Sequence, residues 1–117
     1  MKLSYCTDSM GHLPFEKMLD KVQELGIDTV EMATGGWSPA PHLNLDALLK
    51  SETNRAEFLE SLEKRNIKLC ALNCSGNPLA PNDMGKRHRE VTEKTMELAG
   101  LLNVKKVIMM SGLPAAT

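Results

Sequence analysis

Aromatic residues, cysteines and net charge are all scarce in this chain of 117 residues. Aromatic side chains make up 3%, there are 3 cysteines, and 14 Lys and Arg against 15 Asp and Glu leave a net charge of -1. This balance gives no bulk attraction to nucleic acid or to an anionic membrane, so we expect neither partner. An odd cysteine count without a CxxC pair fits a reducing compartment better than a disulfide framework.

Long apolar runs are also absent. No stretch approaches the ~20 residues of a membrane-spanning helix, and the first residues lead directly into a predicted strand without the apolar core of a signal peptide. The sequence therefore predicts a cytoplasmic protein with a small polar ligand and no membrane partner. The single tryptophan, Trp37, stands out against so few aromatic residues.

A short motif recurs along the chain, in which Gly or Asn closes a helix and a short apolar strand follows Ile or Val. Gly and Asn adopt the left-handed conformation that ends helices at low cost, so each copy predicts a helix stop, a tight turn and a strand entry. With the opening strand from Leu3 to Thr7, the repeat predicts four strands and three helices in the order β-α-β-α-β-α-β. The copies start at Gly26, Asn66 and Asn103.

Apolar spacing and capping residues place the helices. The first is expected to open after Pro14, the second region to split into a turn near Asp46 to Lys50 and a helix from about Thr53 to Arg65, and the third to run from about Lys86 to Leu102. The apolar stripe expected on the first helix comprises Phe15, Met18, Leu19, Val22 and Leu25.

The predicted third helix opens on four basic or titratable residues: Lys86, Arg87, His88 and Arg89. Positive groups at a helix N-terminus oppose the helix macrodipole, a cost that an anionic partner could offset. The alternative is that these side chains simply face water.

Long connections follow the strands, from Thr34 to Asn44 and from Ser75 to Gly85, whereas the links from helix to strand are short. In repeated βα architectures the loops after the strands build the active site. We therefore look for function at the carboxyl ends of the strands.

Side chains alternate along a strand, which gives each strand one face toward the helices and one toward the interior of a barrel. Polar Glu31, Asn73 and Ser111 fall on the interior face near strand ends and need mutual hydrogen bonds or a ligand. Glu31 could contact a substrate or support a metal site, or form an internal salt bridge. The helix face is predicted to carry Leu3, Tyr5, Val30, Met32, Cys70, Leu72, Ile108 and Met110, and the interior face Ser4, Cys6, Thr29, Glu31, Leu69, Ala71, Asn73, Val107, Met109 and Ser111.

The chain resembles the N-terminal part of the xylose isomerase-like TIM-barrel superfamily of sugar phosphate isomerases and epimerases, which includes AP endonuclease family 2. The resemblance implies a partial (β/α)8 TIM barrel, with residues 1–117 as one incomplete domain, the N-terminal half. The matching segments cover nearly the whole chain: Lys2 to Thr7, Glu24 to Glu31, Leu69 to Pro78 and Lys106 to Gly112.

The resemblance also implies a divalent metal, Mn, Mg, Co or Zn, bound to sugar oxygens while acidic residues move a proton next to a carbonyl. The family's metal ligands come mainly from later strands. In this chain His12, His42 and His88 lie in separate segments without HxH or HExxH spacing. We therefore predict that this chain alone binds no metal, has no identified catalytic residue and is inactive.

The resemblance also implies which residues lie on the substrate-binding side of the barrel mouth, where a sugar or sugar phosphate would bind. Each candidate has an alternative: Trp37 could cap the barrel, His42 could be a packing histidine, and the stretch from Asn73 to Asn77 could be a well-made turn. Outside this set, Asp8 and His12 could form an acid-base pair or simply be solvated. The predicted substrate-binding residues are Glu31, Trp37, His42, Asn73, Ser75 and Asn77.

Two interpretations remain open. The first is a fragment of a metal-dependent sugar isomerase or epimerase, whose end from Ser111 to Thr117 resembles an interrupted active-site loop. The second is a complete half-barrel that associates with itself through its open strand edges and binds carbohydrate, or acts as an assembly subunit, without catalysis.

A nucleotide-binding domain is disfavoured because the turn from Thr7 to His12 has no GxGxxG fingerprint.

Overall fold

The computed structural model describes residues 1–112, so most of the expected loop from Ser111 to Thr117 lies outside the described residues. The described part alternates strands and helices as the repeat predicts, and a 3-10 turn, Thr7–Met10, follows the first strand. The elements are β1 Tyr5–Cys6, α1 Phe15–Glu24, β2 Thr29–Ala33, α2 Leu45–Lys50, α3 Glu52–Glu63, β3 Lys68–Asn73, α4 Asp83–Leu101 and β4 Val107–Ile108.

The four strands form one sheet in the order β1-β2-β3-β4, and each neighbouring pair is parallel. The predicted parallel α/β fold is confirmed. The helix number differs, because the predicted turn near Asp46 is the helix α2, and α3 follows it after one extended residue. That residue, Ser51, starts α3 by accepting a hydrogen bond from the backbone N–H of Asn54 at 3.1 Å.

The three copies of the repeated motif form the predicted left-handed turns. Gly26, Asn66 and Asn103 have φ of 75°, 53° and 56°. In each copy the next residue donates its backbone N–H to a carbonyl five positions back: Ile27 to Val22 at 3.3 Å, Ile67 to Leu62 at 3.0 Å and Val104 to Ala99 at 2.8 Å. This is the hydrogen bond of a Schellman motif, so one turn chemistry closes all three helices.

Helix α4 begins earlier than the sequence predicts. The Asn82 side chain caps it by accepting from the backbone N–H of Gly85 at 3.0 Å, and the acidic Asp83 lies in the first turn. The expected basic first turn from Lys86 to Arg89 is therefore wrong, because an Asn-Asp pair sets the helix start. The expected conflict with the helix dipole does not arise there.

The core lies between the sheet and the helices. Helix α1 begins after Pro14 as predicted and buries the middle of its stripe, while Leu25, the C-cap residue, is 54% exposed and was wrongly included. Phe15 stacks on Phe58 of α3 with ring centroids 5.2 Å apart. The large residues with no exposed surface are Met18, Leu19, Val22, Val30, Met32, Leu72 and Leu98.

The face assignment is correct for β2 and wrong for parts of β3 and β4. Leu69 pairs with Val30 and Ala71 pairs with Glu31, so Cys70 is an extra residue in the register. This bulge sends Leu69 into the core and leaves the Cys70 sulfur 3.1 Å from the Ser4 hydroxyl, the reverse of the alternation.

Leu72 and Asn73 lie on their predicted faces, but the last strand is again reversed. Val107 pairs with Leu72 and packs against the core, while Ile108 is 39% exposed. Alternation along the sequence predicted the opposite, because it takes no account of which residues of β3 and β4 pair. The edge residues Leu3 and Met110 are also exposed and do not lie under helices.

Candidate functional site

A polar pocket lies where the first three strands end. Its volume is about 400 Å³, and its residues come from the end of β1 and the turn after it, and from the ends of β2 and β3 with the loops that follow. We call it the mouth pocket. Its lining residues are Cys6, Asp8, Ala33, Trp37, Ser38, Pro39, Asn73 and Ser75.

Glu31 lies beside this pocket, on the sheet face opposite the buried Val30 and Met32, as predicted. Its Oε2 accepts a hydrogen bond of 2.8 Å from Nδ2 of Asn73. Among residues 1–112 no cation lies within salt-bridge distance of Glu31, so the alternative of an internal ion pair finds no support there. The carboxylate is held by a neutral amide instead.

Asn73 is oriented from both ends of its amide. While Nδ2 donates to Glu31, Oδ1 accepts from the backbone N–H of Ser75 at 2.9 Å. The second hydrogen on Nδ2 has no acceptor among the described residues and can donate to a ligand. The pair of Glu31 and Asn73 therefore presents an acceptor and a donor side by side.

A second carboxylate lines the pocket. Asp8, in the 3-10 turn after β1, accepts at Oδ2 a hydrogen bond of 2.5 Å from the Ser38 hydroxyl. Ser38 itself accepts from the backbone N–H of Ala40 at 3.0 Å. The other oxygen of Asp8, Oδ1, is buried without a partner in the part of the chain that the structure describes.

Cys6 lies next to both carboxylates. Desolvation raises the pKa of its thiol, and the negative charges of Glu31 and Asp8 raise it further. The thiol is therefore protonated at neutral pH, and since the thiolate is the nucleophile, Cys6 is poorly suited to covalent catalysis. Cys74 is buried beneath the sheet end, and burial raises the pKa of its thiol as well.

Trp37 forms the rim of the pocket. The side chain is 50% exposed, and its backbone N–H donates to the Ser75 carbonyl at 2.9 Å. The indole meets the His88 ring edge-on, with centroids 4.7 Å apart. Gly36 makes this contact between loops possible, because a Cβ there would lie 2.3 Å from the Ser75 oxygen.

Two predicted residues occupy the loop after β3. Ser75 lines the pocket, whereas Asn77 is buried beneath the turn and does not line it. The backbone N–H of Asn77 donates to Nδ1 of His88 at 2.8 Å. The Oδ1 atom of Asn77 is buried and has no partner among residues 1–112.

His42 does not join the mouth pocket. Its Nε2 lies 3.2 Å from the Met10 carbonyl oxygen and 3.0 Å from that of Leu13. Because carbonyls only accept, Nε2 carries the hydrogen, and Nδ1 accepts from the Thr7 hydroxyl at 3.1 Å. These contacts are those of a buried packing histidine that holds the turn after β1, which is the alternative that the sequence left open.

Sequence reasoning missed Ser38 and His88, and for Asp8 it left two alternatives open, an acid-base pair with His12 or a solvated loop residue. The position of Asp8 just after a strand was a signal, but its expected partner, His12, is exposed and makes no hydrogen bond to it in the described part of the chain. Ser38 follows Trp37 in the Gly-Gly-Trp-Ser sequence, which identifies a loop but not its partner.

The described residues do not by themselves fit a divalent metal. Within residues 1–112 there is no group of three His, Cys, Asp or Glu side chains close enough to hold one. The oxygens of Asp8 and Glu31 are suitable ligands, but one oxygen of each is already bonded to a protein donor.

Within residues 1–112, no helix combines the length and apolarity needed to cross a bilayer.

A parallel sheet whose strands follow in chain order, with long loops and polar groups at its carboxyl edge, is the arrangement of the βα-barrel class. A family model confirms this: the xylose isomerase-like TIM barrel model matches residues 19–116. The chain therefore belongs to the xylose isomerase-like TIM barrel family.

The chain spans less than two fifths of the length of two similar proteins. It is 74% identical over 115 residues to the uncharacterized protein YfiH of Bacillus subtilis (strain 168), which covers 98% of this chain and 37% of YfiH. It also superposes with a TM-score of 0.66 on the crystal structure of the probable 3-DHS dehydratase AsbF, involved in petrobactin synthesis, from Bacillus anthracis. That match has 20% identity, covers 96% of this chain and 39% of AsbF, and shows the shared fold.

Proposed function

We propose that this chain forms the substrate-binding side of the mouth of a metal-dependent sugar or sugar phosphate isomerase or epimerase. The observation that carries the proposal is the hydrogen-bonded pair of Glu31 and Asn73 at the carboxyl edge of the sheet, beside the half-exposed indole of Trp37. A carboxylate, an amide and an aromatic face together match the hydroxyl groups and the C–H face of a sugar.

In the reaction we propose, a proton leaves the carbon next to a carbonyl. A divalent metal, Mn, Mg, Co or Zn, would polarise the carbonyl oxygen when bound. The residues described here act on the substrate's other groups: Glu31 accepts a hydrogen bond from a hydroxyl, Asn73 donates one, and Trp37 covers one face of the sugar. Neither the proton-abstracting base nor the metal ligands are assigned to this chain, and we expect it to be inactive by itself.

A fluorescence titration tests this proposal, because Trp37 is the only tryptophan. Adding D-fructose or D-xylose to the chain should change the Trp37 emission in a saturable way. Glu31→Gln and Asn73→Ala should each weaken the binding by about 5- to 10-fold, since each removes a hydrogen bond to the ligand. Glu97→Gln, on the exposed side of α4, is the matched control and should bind like the wild type. If no sugar gives saturable binding, or if all variants bind equally well, the proposal is rejected.

A second candidate function is a half-barrel that self-associates and binds carbohydrate, or serves as an assembly subunit, without catalysis. Apolar residues exposed at the two outer strands favour it: Leu3 is 64% exposed, Ile108 39%, and Met109 and Met110 42% each. Exposed apolar groups along unpaired strand edges promote association.

We further propose that the protein is cytoplasmic. The free state of Cys6, Cys70 and Cys74 supports this location, because thiols persist in reducing compartments.

A further inference from the structure

The imidazole of His88 is held in its neutral form by the loop that follows β3. Its Nδ1 atom accepts a hydrogen bond of 2.8 Å from the backbone N–H of Asn77. A backbone amide can only donate, so Nδ1 carries no hydrogen and the ring carries its hydrogen on Nε2. The His88 side chain is 7% exposed, so this hydrogen bond lies inside the protein.

A proton added to Nδ1 would point into the backbone of this loop. Protonation converts Nδ1 from an acceptor into a donor, which then faces the N–H of Asn77 without an acceptor between them. The backbone of Gly76 passes so close that a Cβ there would lie 2.6 Å from Nδ1. The charged ring is therefore incompatible with the present position of the loop, and the two must separate.

The loops that touch the ring offer no negative charge that could hold an imidazolium in place. The loop after β3 has no titratable side chain from Ser75 to Asn82, and the loop after β2 has none from Thr34 to Pro41. Cys74 lies just before the first of these loops, and burial raises the pKa of its thiol, which stays neutral.

Helix α4 and the mouth pocket do not supply a partner either, within residues 1–112. The carboxylates of Asp8 and Glu31 are bonded to Ser38 and Asn73. Three of the four titratable residues within three positions of His88 on α4 are cations, and none of the four is paired with its ring. These four residues are Lys86, Arg87, Arg89 and Glu90.

Movement of the loop after β3 would reach the mouth pocket. Ser75 lines the pocket, and its carbonyl oxygen accepts a hydrogen bond of 2.9 Å from the backbone N–H of Trp37. The Trp37 indole also meets the His88 ring edge-on, with centroids 4.7 Å apart. The rim of the pocket is therefore connected to His88 both through the loop and through direct contact of the rings.

We propose that His88 is a pH-sensitive switch for the mouth pocket. In its neutral form it holds the loop after β3 against α4, and in its protonated form it releases the backbone from Ser75 to Asn77 together with the Trp37 indole. Histidine is the side chain that ordinarily changes charge between about pH 5 and 8, so mild acid drives the release. The inference concerns the shape of the pocket and does not depend on which ligand binds there.

A pH titration of the chain by NMR tests the inference, with Trp37 fluorescence as a second readout. From about pH 8 to about pH 4.5, the signals of the Asn77 backbone amide and the Trp37 indole N–H should shift with the same midpoint as those of the His88 ring. The protection of the Asn77 amide against hydrogen exchange should fall by about 10-fold or more over this range, since its hydrogen bond is lost.

Two variants separate the acceptor at this position from its charge. His88→Asn places an amide oxygen, which accepts but does not titrate, near the position of Nδ1, and it should remove the titration step. His88→Leu has no acceptor and should show the acid signals of Asn77 and Trp37 already at about pH 8. His12→Asn removes an exposed histidine and is the matched control, which should titrate like the wild type.

Several results would overturn the switch. They are a His88 ring that stays neutral down to about pH 4.5, signals of Asn77 or Trp37 that do not follow the ring, and a titration step that survives in His88→Asn or disappears in His12→Asn. Circular dichroism checks the fold of each variant. If a variant fails to fold, the wild-type titration still decides the inference, because it needs no substitution.

Discussion

The ring of His88 determines the shape of the loop after β3. It is buried, it accepts a hydrogen bond from the Asn77 backbone at Nδ1, and it supports the Trp37 indole from below. The loop passes so close that a Cβ on Gly76 would lie 2.6 Å from Nδ1. His88 lies outside the mouth pocket, yet it positions both the Trp37 indole at the rim and the backbone of Asn77.

This close approach makes Gly76→Ala a sensitive substitution. We expect it to lower the free energy of unfolding by about 1–3 kcal/mol, because the His88 ring is tied to Asn77 and cannot yield freely. Gly100→Ala is the control: it lies in α4, and no atom beyond its chain neighbours and the nearby backbone of that helix lies within 4 Å of its Cβ position. It should stabilise by about 0.5–1 kcal/mol. Urea denaturation of both variants measures this, and equal stabilities would contradict the packing described for His88.

The residues of the site differ in how far the sequence could predict them. The orientation of Glu31 followed from alternation with Val30 and Met32, since a regular strand leaves no other choice. The pairing of Asp8 with Ser38 could not be predicted, because the two residues are 30 positions apart and meet only when two irregular loops close. The same reason explains why the contacts of His42 with the turn after β1 could not be predicted.

Helices α1 and α3 are joined by a small charged cluster. Arg65, just after α3, lies 2.7 Å from the Glu16 carboxylate and 2.8 Å from that of Asp20. The hydrogen bond from Ser61 to Glu16 is the main cause that lowers the pKa of Glu16, and Arg65 adds to it. Partial desolvation opposes these effects without cancelling them.

The lowered pKa of Glu16 predicts how stability depends on pH. Because folding lowers this pKa below its ordinary 4.5, the stabilisation is present above that value and is lost as the pH falls through the folded pKa. Glu16→Gln should cost about 0.5 kcal/mol at pH 7, a small value because the side chain is half exposed. The gap to the wild type should narrow as the pH falls below 4.5 and close once Glu16 is protonated in the folded state. Thermal melts across this range check it against Glu60→Gln, exposed on α3, which should show no such gap.

Among the secondary-structure elements, the ends of the helices could be predicted from the sequence, whereas the pairing of the strands could not. The ends of the helices at Gly26, Asn66 and Asn103 followed from residues that tolerate the left-handed conformation. The bulge at Cys70 depends on which residues of β2 and β3 pair, and nothing in the sequence Leu69-Cys70-Ala71 marks it. The reversed faces of β4 come from a separate pairing, which sets Val107 beside Leu72 and Ile108 beside Asn73.

For the whole molecule, the sheet ends at β1 and β4, each paired on one side only within residues 1–112. If the exposed residues of β4 cause self-association, Ile108→Lys should reduce the weight-average mass seen by sedimentation at a given concentration. Leu101→Lys is the matched control, since Leu101 is 49% exposed but belongs to helix α4 and not to a strand. An unchanged mass for Ile108→Lys would argue against association through this edge, and an equal effect of both substitutions would indicate a nonspecific effect of charge.

The contact between Gly36 and Ser75 has a consequence for engineering this barrel mouth. Because a backbone hydrogen bond from Trp37 and a glycine without room for a side chain join the two loops, neither can be exchanged by itself. A loop graft after β2 that lacks the glycine would displace the loop after β3, and with it Asn73 and its bond to Glu31. The two loops therefore form one transplantable unit, and libraries that vary ligand preference should recombine them together.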